Sequence, residues 1–494
     1  MKTMILYSRF VIIGALFFFL CTTEVFAQAP DTMWTKTFGG VSSDEGYSVQ
    51  QTLDGGYIIT GSTKSFSTGD SDVWIIKTDE NGDSLWTKYY DEASEYDVGY
   101  SVRQTLDGGY VISGEGNTFH GGVRLIKTDE NGDTVWTKKF GDEYSWGGYS
   151  VEQTSDGGYI TIAQLGYDVI GRGAFELIKT DENGDTLWIK WLDEQGDDVA
   201  NSVQQTFDGG YIITGSLSQI FAAPDAKLIK TNEIGETVWN KTLGGGGDDF
   251  GKSVQQTSDG GYIMTGGTES SGSNSSDVWV IKTDSNGDTL WTKTFGGGND
   301  DWGESIQQTT DGGYIITGHT NSFGAGNEDV WIIKTDENGD SLWTKTFGGV
   351  NNDWGNSVKQ TTDGGYIITG YTKSFGAGNS DIWVIKLESE SLTEVINENK
   401  NIPSGFSLSQ NYPNPFNPTT TITYTILENS KIRLIVYDLL GRAVRELVNG
   451  ETKAGENKVT FNAENLPSGV YFYKISVKSL NHFFVDTKKM ILLK

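Results

Sequence analysis

The chain reads as all-β: a seven-bladed β-propeller closed by its own N-terminal strand, followed by a second strand-rich domain. Three observations predict this. Tryptophan recurs at Trp34, Trp86, Trp136, Trp188, Trp239, Trp291 and Trp343, at intervals of 50 to 52 residues. The tetrapeptide Asp-Gly-Gly-Tyr recurs in step, beginning at Asp54, Asp107, Asp156, Asp208, Asp259, Asp311 and Asp363. The repeat is also out of phase with its ends, opening on a fourth strand and stopping after a third. A fixed period of this length marks a chain built from stacked supersecondary units.

Each period holds four short runs with strand chemistry. The copy starting at Ser253 shows them as SVQQT, YIMTG, DVWVIKTD and LWTKTF. Turn signals separate the runs: SDGG, a Gly/Ser loop, SNGD, and the acidic loop GGGNDDWG. Four strands per repeat of about fifty residues is the content of a propeller blade. The phase predicts that Trp34 to Phe38 completes the blade formed by Ser357 to Leu387, leaving no orphan edge. An open solenoid would need polar capping repeats, and the sequence has none. The fourth-to-first and second-to-third connections then share one variable rim. The tight SDGG-type and DENGD-type turns occupy the other. The repeats span residues 30–387.

The N-terminus carries Lys2 and Arg9, an apolar stretch from Phe10 to Leu20, and the small-residue segment Val25-Phe26-Ala27. This is the layout of a secretory signal peptide, residues 1–27, with cleavage expected after Ala27. The single cysteine, Cys21, leaves with it, so the mature chain has neither a disulfide nor a thiolate metal site. Leu20 before Cys21 speaks against a lipid-modified cysteine. No later stretch reaches roughly twenty apolar residues, so no transmembrane segment is expected. The formal charge of −29 is uneven, because residues 401–494 hold 11 Lys/Arg against 7 Asp/Glu. The repeats are therefore strongly acidic. Such a field repels phosphate backbones and anionic lipid, which argues against nucleic acid as a partner. An extracellular glycan or protein fits better.

After Leu387 comes a polar linker, residues 388–405, and then a shift in composition: five of the seven prolines lie at Pro403, Pro413, Pro415, Pro418 and Pro467. Alternating apolar runs such as IRLIVYDL point to strands. FSLSQNYPNPFNPTTTITYTI, VYDLLGRAVRELV, LPSGVYFYK and the terminal KKMILLK stand in that order within residues 406–494. This segment resembles the C-terminal sorting domain of the type IX secretion system. The resemblance implies an immunoglobulin-like β-sandwich, recognition by the type IX secretion machinery after passage through the periplasm, and a final place in the medium or on the outer cell surface. On it, Pro413, Asn414, Pro415, Phe416, Gly441, Arg442, Gly469, Tyr471, Lys489 and Lys494 carry the sorting signal.

Within the repeats, TDENGDSLW is similar to the Asp-box of sialidase-type propellers and to the tryptophan-docking motif of quinoprotein propellers, about one residue out of register with both. Both are scaffolding motifs. Asp79 to Asp83 clusters oxygen ligands, but the spacing does not fit an EF-hand loop, and an Asn-Gly hairpin accounts for the same residues. Paired rim carboxylates recur at Asp248-Asp249 and Asp300-Asp301, with counterparts at Asp44, Asp197-Asp198 and Asp353. They suit either loop hydrogen bonding or a metal, with calcium as the candidate ion. No organic cofactor is indicated.

Three consecutive third strands depart from the DVWIIK pattern, reading GVRLIK, AFELIK and DAKLIK, and their rim loops diverge too. Either these loops tolerate change or they build a ligand site from Phe119, His120, Tyr167, Arg172, Phe175 and Phe221. The scarcity of histidine and arginine points away from a histidine relay and from an arginine-triad sialidase. The reading is therefore a secreted or surface-displayed binding or adhesion propeller with no assigned catalytic residue. The alternatives are a secreted glycan-active enzyme using rim carboxylates, and a structural surface-layer protein.

Overall fold

The computed structural model describes residues 28–67, 70–91, 96–116, 122–141, 145–165, 173–218, 223–270, 275–390, 407–426, 430–439, 442–453, 455–478 and 483–494. The expected signal peptide and most of the expected linker lie outside them. Among the described residues there is no helix. The chain divides into two compact units, Met1–Thr393 and Glu394–Lys494.

The first unit is a series of four-stranded antiparallel sheets that resemble propeller blades. In the sheet Asp249–Gln256, Tyr262–Thr268, Asp277–Thr283 and Thr289–Phe295, the second and third strands are enclosed on both faces. The fourth alternates exposed and half-buried positions, as an outer strand must. One long strand, Thr186–Gln205, serves as the fourth strand of one sheet and continues as the first of the next.

The sheets are joined by a repeated aromatic contact. The tryptophan of each fourth strand meets the tyrosine of the next copy's second strand edge to face, as in Trp34–Tyr57 at 5.8 Å and Trp239–Tyr262 at 5.7 Å. The Asn-Gly turn of the next copy closes over the same ring. Gly82 has φ +77°, and a Cβ there would come within 2.7 Å of Trp34, so glycine is required both for the turn and for the packing.

Trp34 to Phe38 pairs antiparallel with Asp381–Leu387, with Trp34 opposite Lys386 and Phe38 opposite Ile382. The first strands also touch in succession, and Asp353–Gln360 meets Asp44–Gln51. This seam repeats the internal junctions. Asp44 N donates to Ser380 O at 2.8 Å, as Asp97 N does to Ser71 O, and Thr362 N donates to Gln51 Oε1 at 2.8 Å, as Leu53 N does to Gln104 Oε1 at 2.9 Å.

The second unit has two sheets. One is formed by Ser407–Leu408, Thr419–Ile426 and Gly455–Asn462. The other runs Ala443–Thr452, Ser430–Asp438, Gly469–Lys478, Phe483–Leu492. One apolar cluster, including Phe416, Ile422, Leu434, Phe461, Tyr473 and Leu492, draws on both.

Candidate functional site

The two turns that recur in every repeat are committed to holding the sheets. Asp259 of the Asp-Gly-Gly-Tyr turn accepts from Thr257 Oγ1 at 2.6 Å and Gly261 N at 2.9 Å, and pairs with buried Lys282 at 2.9 Å. Burial pushes its carboxyl up, but these donors outweigh that and hold it at about 2. In the Asn-Gly turn, Asp79 Oδ1 accepts from Asn81 N and Asp83 N, both at 2.9 Å. That carboxylate closes a turn, as the hairpin reading expects.

The rim carboxylates do not work as pairs. Asp249 is fully enclosed and accepts from Thr268 Oγ1, Ser270 Oγ at 2.6 Å and Gly245 N at 2.8 Å. Asp301 does the same with Thr320 Oγ1 and Gly297 N at 2.8 Å. Their neighbours Asp248 and Asp300, the last loop residues before each strand, are half-buried and exposed. Asp300 Oδ1 instead caps Ser276 N at 3.1 Å. Among the described residues no three His, Cys, Asp or Glu side chains converge as metal ligands do. Of the residues expected to hold a metal, Asp249 and Asp301 pin their loops through these hydrogen bonds.

Of the ligand residues expected on the divergent loops, Phe119, His120, Tyr167, Arg172 and Phe221 lie outside the described residues. Phe175 is described, and it corrects the expectation. It is fully buried in the core with Ile162, Leu192 and Ile213, and so has no face for a ligand. The substituted third strands also turn inward: Arg124, in the place of Trp74, is buried and reaches Asp97 at 3.3 Å.

What the sequence reading missed lies on the first strands. Within the frame Gly-x-Ser the central position changes from copy to copy: Tyr47, Tyr100, Tyr149, Lys252, Glu304 and Asn356. Tyr47, Tyr100 and Tyr149 are half-buried and form a continuous shelf, with ring centres 5.2 and 4.9 Å apart. Glu45 accepts from Tyr47 Oη at 2.7 Å, and Glu115 from Tyr100 Oη at 3.3 Å. Burial, then the nearby carboxylates, raises the Tyr47 and Tyr100 hydroxyls, so both remain neutral donors. Burial also raises Glu115, against the Tyr100 hydrogen bond.

Further round, Phe250 packs on Trp302 at 5.2 Å, and Trp354 lies parallel to His319 at 4.0 Å while its Nε1 donates to Glu328 at 2.6 Å. The signal that could have found this belt is variation at the two positions flanking the Gly of an otherwise steady frame.

In the second unit the separated motifs come together. Arg442 bonds Asp438 at 2.8 Å, and with Pro467, Gly469 and Tyr471 they line a cleft of about 420 Å³. Phe416 is buried; its N donates to Ile491 O at 2.9 Å, and its carbonyl accepts from Leu493 N at 3.0 Å. Asn414 Oδ1 accepts from Ile491 N at 2.8 Å. The Pro413-Asn414-Pro415-Phe416 segment is thus locked against the terminal strand carrying Lys489. Lys494 N donates to Ser468 Oγ at 2.9 Å, and Gly441 lies outside the described residues.

Residues 410–492 match the family model described as the secretion system C-terminal sorting domain. The C-terminal unit is a type IX secretion sorting domain. It directs the chain through the type IX machinery to the cell surface or the extracellular space. Among the described residues no helix is long and apolar enough to cross a membrane.

A search of curated proteins found no match. Among solved structures, the chain is similar to PorZ of Porphyromonas gingivalis, described as an essential bacterial surface component of the type IX secretion system. The identity is 10% and the TM-score 0.41, over 92% of this chain and 60% of PorZ. It is also similar to Sqt1 from Chaetomium thermophilum, at 12% identity and TM-score 0.42, over 69% of this chain and 82% of that one. The β-propeller domain of the Trilobed protease from Pyrococcus furiosus aligns at 10% identity and TM-score 0.40, over 74% and 99% of the two chains.

Proposed function

We propose that the exported chain is a binding module: a seven-bladed propeller closed by its first strand, carried to the surface by an immunoglobulin-like sorting domain. It captures an extracellular glycan or protein segment on the aromatic belt of its first strands. The closed ring is supported by the pairing of Trp34 to Phe38 with Asp381–Leu387. The observation that carries the binding role is the Tyr47–Tyr100–Tyr149 shelf flanked by Glu45 and Glu115. Half-buried aromatic faces beside fixed acceptors suit a sugar ring, which offers an apolar C–H face and hydroxyl donors.

The test is an array of extracellular polysaccharides and surface proteins probed with the mature chain and with Y47A/Y100A. Capture by the first and its loss in the second are expected. Equal capture by both, or release of a product in place of retention, would overturn the reading.

A further inference from the structure

The loop after the second strand carries the same phenylalanine in three copies, at Phe66, Phe323 and Phe375. Each ring packs beside the third-strand tryptophan of its own sheet, 5.4, 5.2 and 5.3 Å from Trp74, Trp331 and Trp383. A fourth tryptophan, Trp279, belongs to the copy with Ser271 in place of the phenylalanine, and there the indole is used inside the protein. Its Nε1 donates to Thr292 Oγ1 at 2.6 Å. Thr344 and Thr35 stand where Thr292 does, yet among the described residues neither Trp331 nor Trp383 makes that bond. An indole N–H can only donate, so both are left in need of an acceptor.

Phe295, Phe323, Trp331, Thr344, Lys345 and Thr346 line a cleft of about 490 Å³, and Phe323 is 46% exposed. Lys345 brings no free charge to it, because its Nζ donates to Pro30 O at 2.7 Å and lies 5.2 Å from the centre of the Phe347 ring. The next sheet repeats the set across the pairing of the first and last strands, as Phe347, Phe375, Trp383, Thr35, Lys36 and Thr37. Phe375 is 47% exposed, and Lys36 pairs with Asp83 at 2.7 Å. The first sheet shows what such a position accepts. There Tyr89 stands in place of Thr346, and its ring lies 5.8 Å from Trp74 at 25° and 5.6 Å from Phe66. Trp74 Nε1 is buried beneath these rings with no acceptor.

We propose that the Phe323–Trp331 and Phe375–Trp383 positions are binding sites for neutral sugar units. A hexose ring takes the place that Tyr89 takes in the first sheet. Its C–H face packs on the aromatic pair, one of its oxygens accepts from the indole N–H, and its hydroxyls pair with the threonines. A peptide's apolar or aromatic side chain would cover the rings and leave the N–H unpaired, as Tyr89 does. Both lysines are already engaged, and the net charge of −29 opposes an acidic polymer, so the ligand is uncharged. These sites share no residue with the tyrosine shelf and do not rest on it. A cleft of this volume holds a short sugar segment, so its binding is read by titration in solution.

The test is calorimetric titration of the mature chain with cellotriose, maltotriose, mannotriose, trigalacturonate and N-acetyltyrosinamide. F323A/F375A removes two exposed rings, and T346Y installs the residue that the first sheet carries, so both keep the fold, as an unchanged thermal midpoint will show. At least one neutral trisaccharide should bind, and F323A/F375A should weaken it at least about tenfold, as truncation of an aromatic anchor does. T346Y should halve the stoichiometry, and Y47A/Y100A should bind unchanged. Binding of none of the three neutral sugars would overturn the assignment. So would tighter binding of trigalacturonate or N-acetyltyrosinamide, or a loss in Y47A/Y100A with F323A/F375A unaffected.

Discussion

The tight-turn frame and the inward faces of the first strands are built from the same repeat but treat variation in opposite ways. In the frame, each copy has the same tryptophan over the next copy's tyrosine, the same buried lysine and the same glycine at positive φ. The tryptophan, the tyrosine and the Asn-Gly glycine meet a neighbouring sheet, and the lysine pins a turn of its own, so one unsuited copy weakens a junction or a sheet. Along the first strands, the positions beside the recurrent Gly and Ser are half-buried and include the lateral tyrosine contacts. They differ from copy to copy, and there a repeated fold acquires a unique surface.

The sharpest way to break this contrast is to truncate a frame residue. Tyr262→Ala removes a fully buried ring from under Trp239, and the expected loss is about 4 kcal/mol in denaturant unfolding. A loss below about 1 kcal/mol would mean that the aromatic junction is not what joins the sheets.

The seam comes next. Trp34→Ala and Trp239→Ala remove equivalent half-buried rings, one on the N-terminal strand and one inside the chain. Each should cost about 2 kcal/mol, less than a fully buried aromatic, and by nearly the same amount. A much smaller effect for Trp34→Ala would show that the closing strand contributes less than an internal one.

A smaller effect, repeated around the frame, is set by pH. Asp54, Asp107, Asp156, Asp208, Asp259, Asp311 and Asp363 are all held below the ordinary carboxylate value, with Asp259 at about 2. A carboxyl depressed in the folded state stabilises above its unfolded value near 4, and that contribution is lost as pH falls through the folded value. These side chains are half or more exposed, so each pair is worth under about 1 kcal/mol after solvent screening. Unfolding followed from pH 5 to pH 2 should show a cumulative decline, reduced by one step in Asp259→Asn. A flat profile would remove these pairs from the account of stability.

Much of this was legible in the sequence. The Asp-Gly-Gly-Tyr and Asn-Gly turns announce themselves because glycine at positive φ and a capping aspartate leave few alternatives. The sorting motifs are read from their residues alone. The failures are failures of facing. Phe175 stands next to a divergent loop, but AFELIKT aligned on DVWIIKT puts it at the position of Val73, which is buried, as is Val278 in its own copy. Asp248 and Asp249 look like a pair in the sequence, yet the strand begins at Asp249, which is enclosed, while Asp248 stays in the loop, half-buried. The tyrosine shelf escaped because its members are about fifty residues apart, and only the lateral packing of first strands brings them side by side.

The smallest stability effect belongs to that shelf, and it separates the two regions most cleanly. Tyr100 is half-buried, meets Tyr47 edge to face and Tyr149 at a tilt, and bonds Glu115 through a hydroxyl. Tyr100→Phe removes only the hydroxyl. Without that donor burial raises the Glu115 carboxyl further, and the loss of this one hydrogen bond should change folding by no more than about 1 kcal/mol. A captured ligand, by contrast, should bind several-fold more weakly if the Tyr100–Glu115 pair orients its hydroxyls, measured by titration beside the unfolding curve. Parallel losses in both measurements would return the shelf to the frame, and a loss confined to binding would set it apart as the surface for which the repeats are assembled.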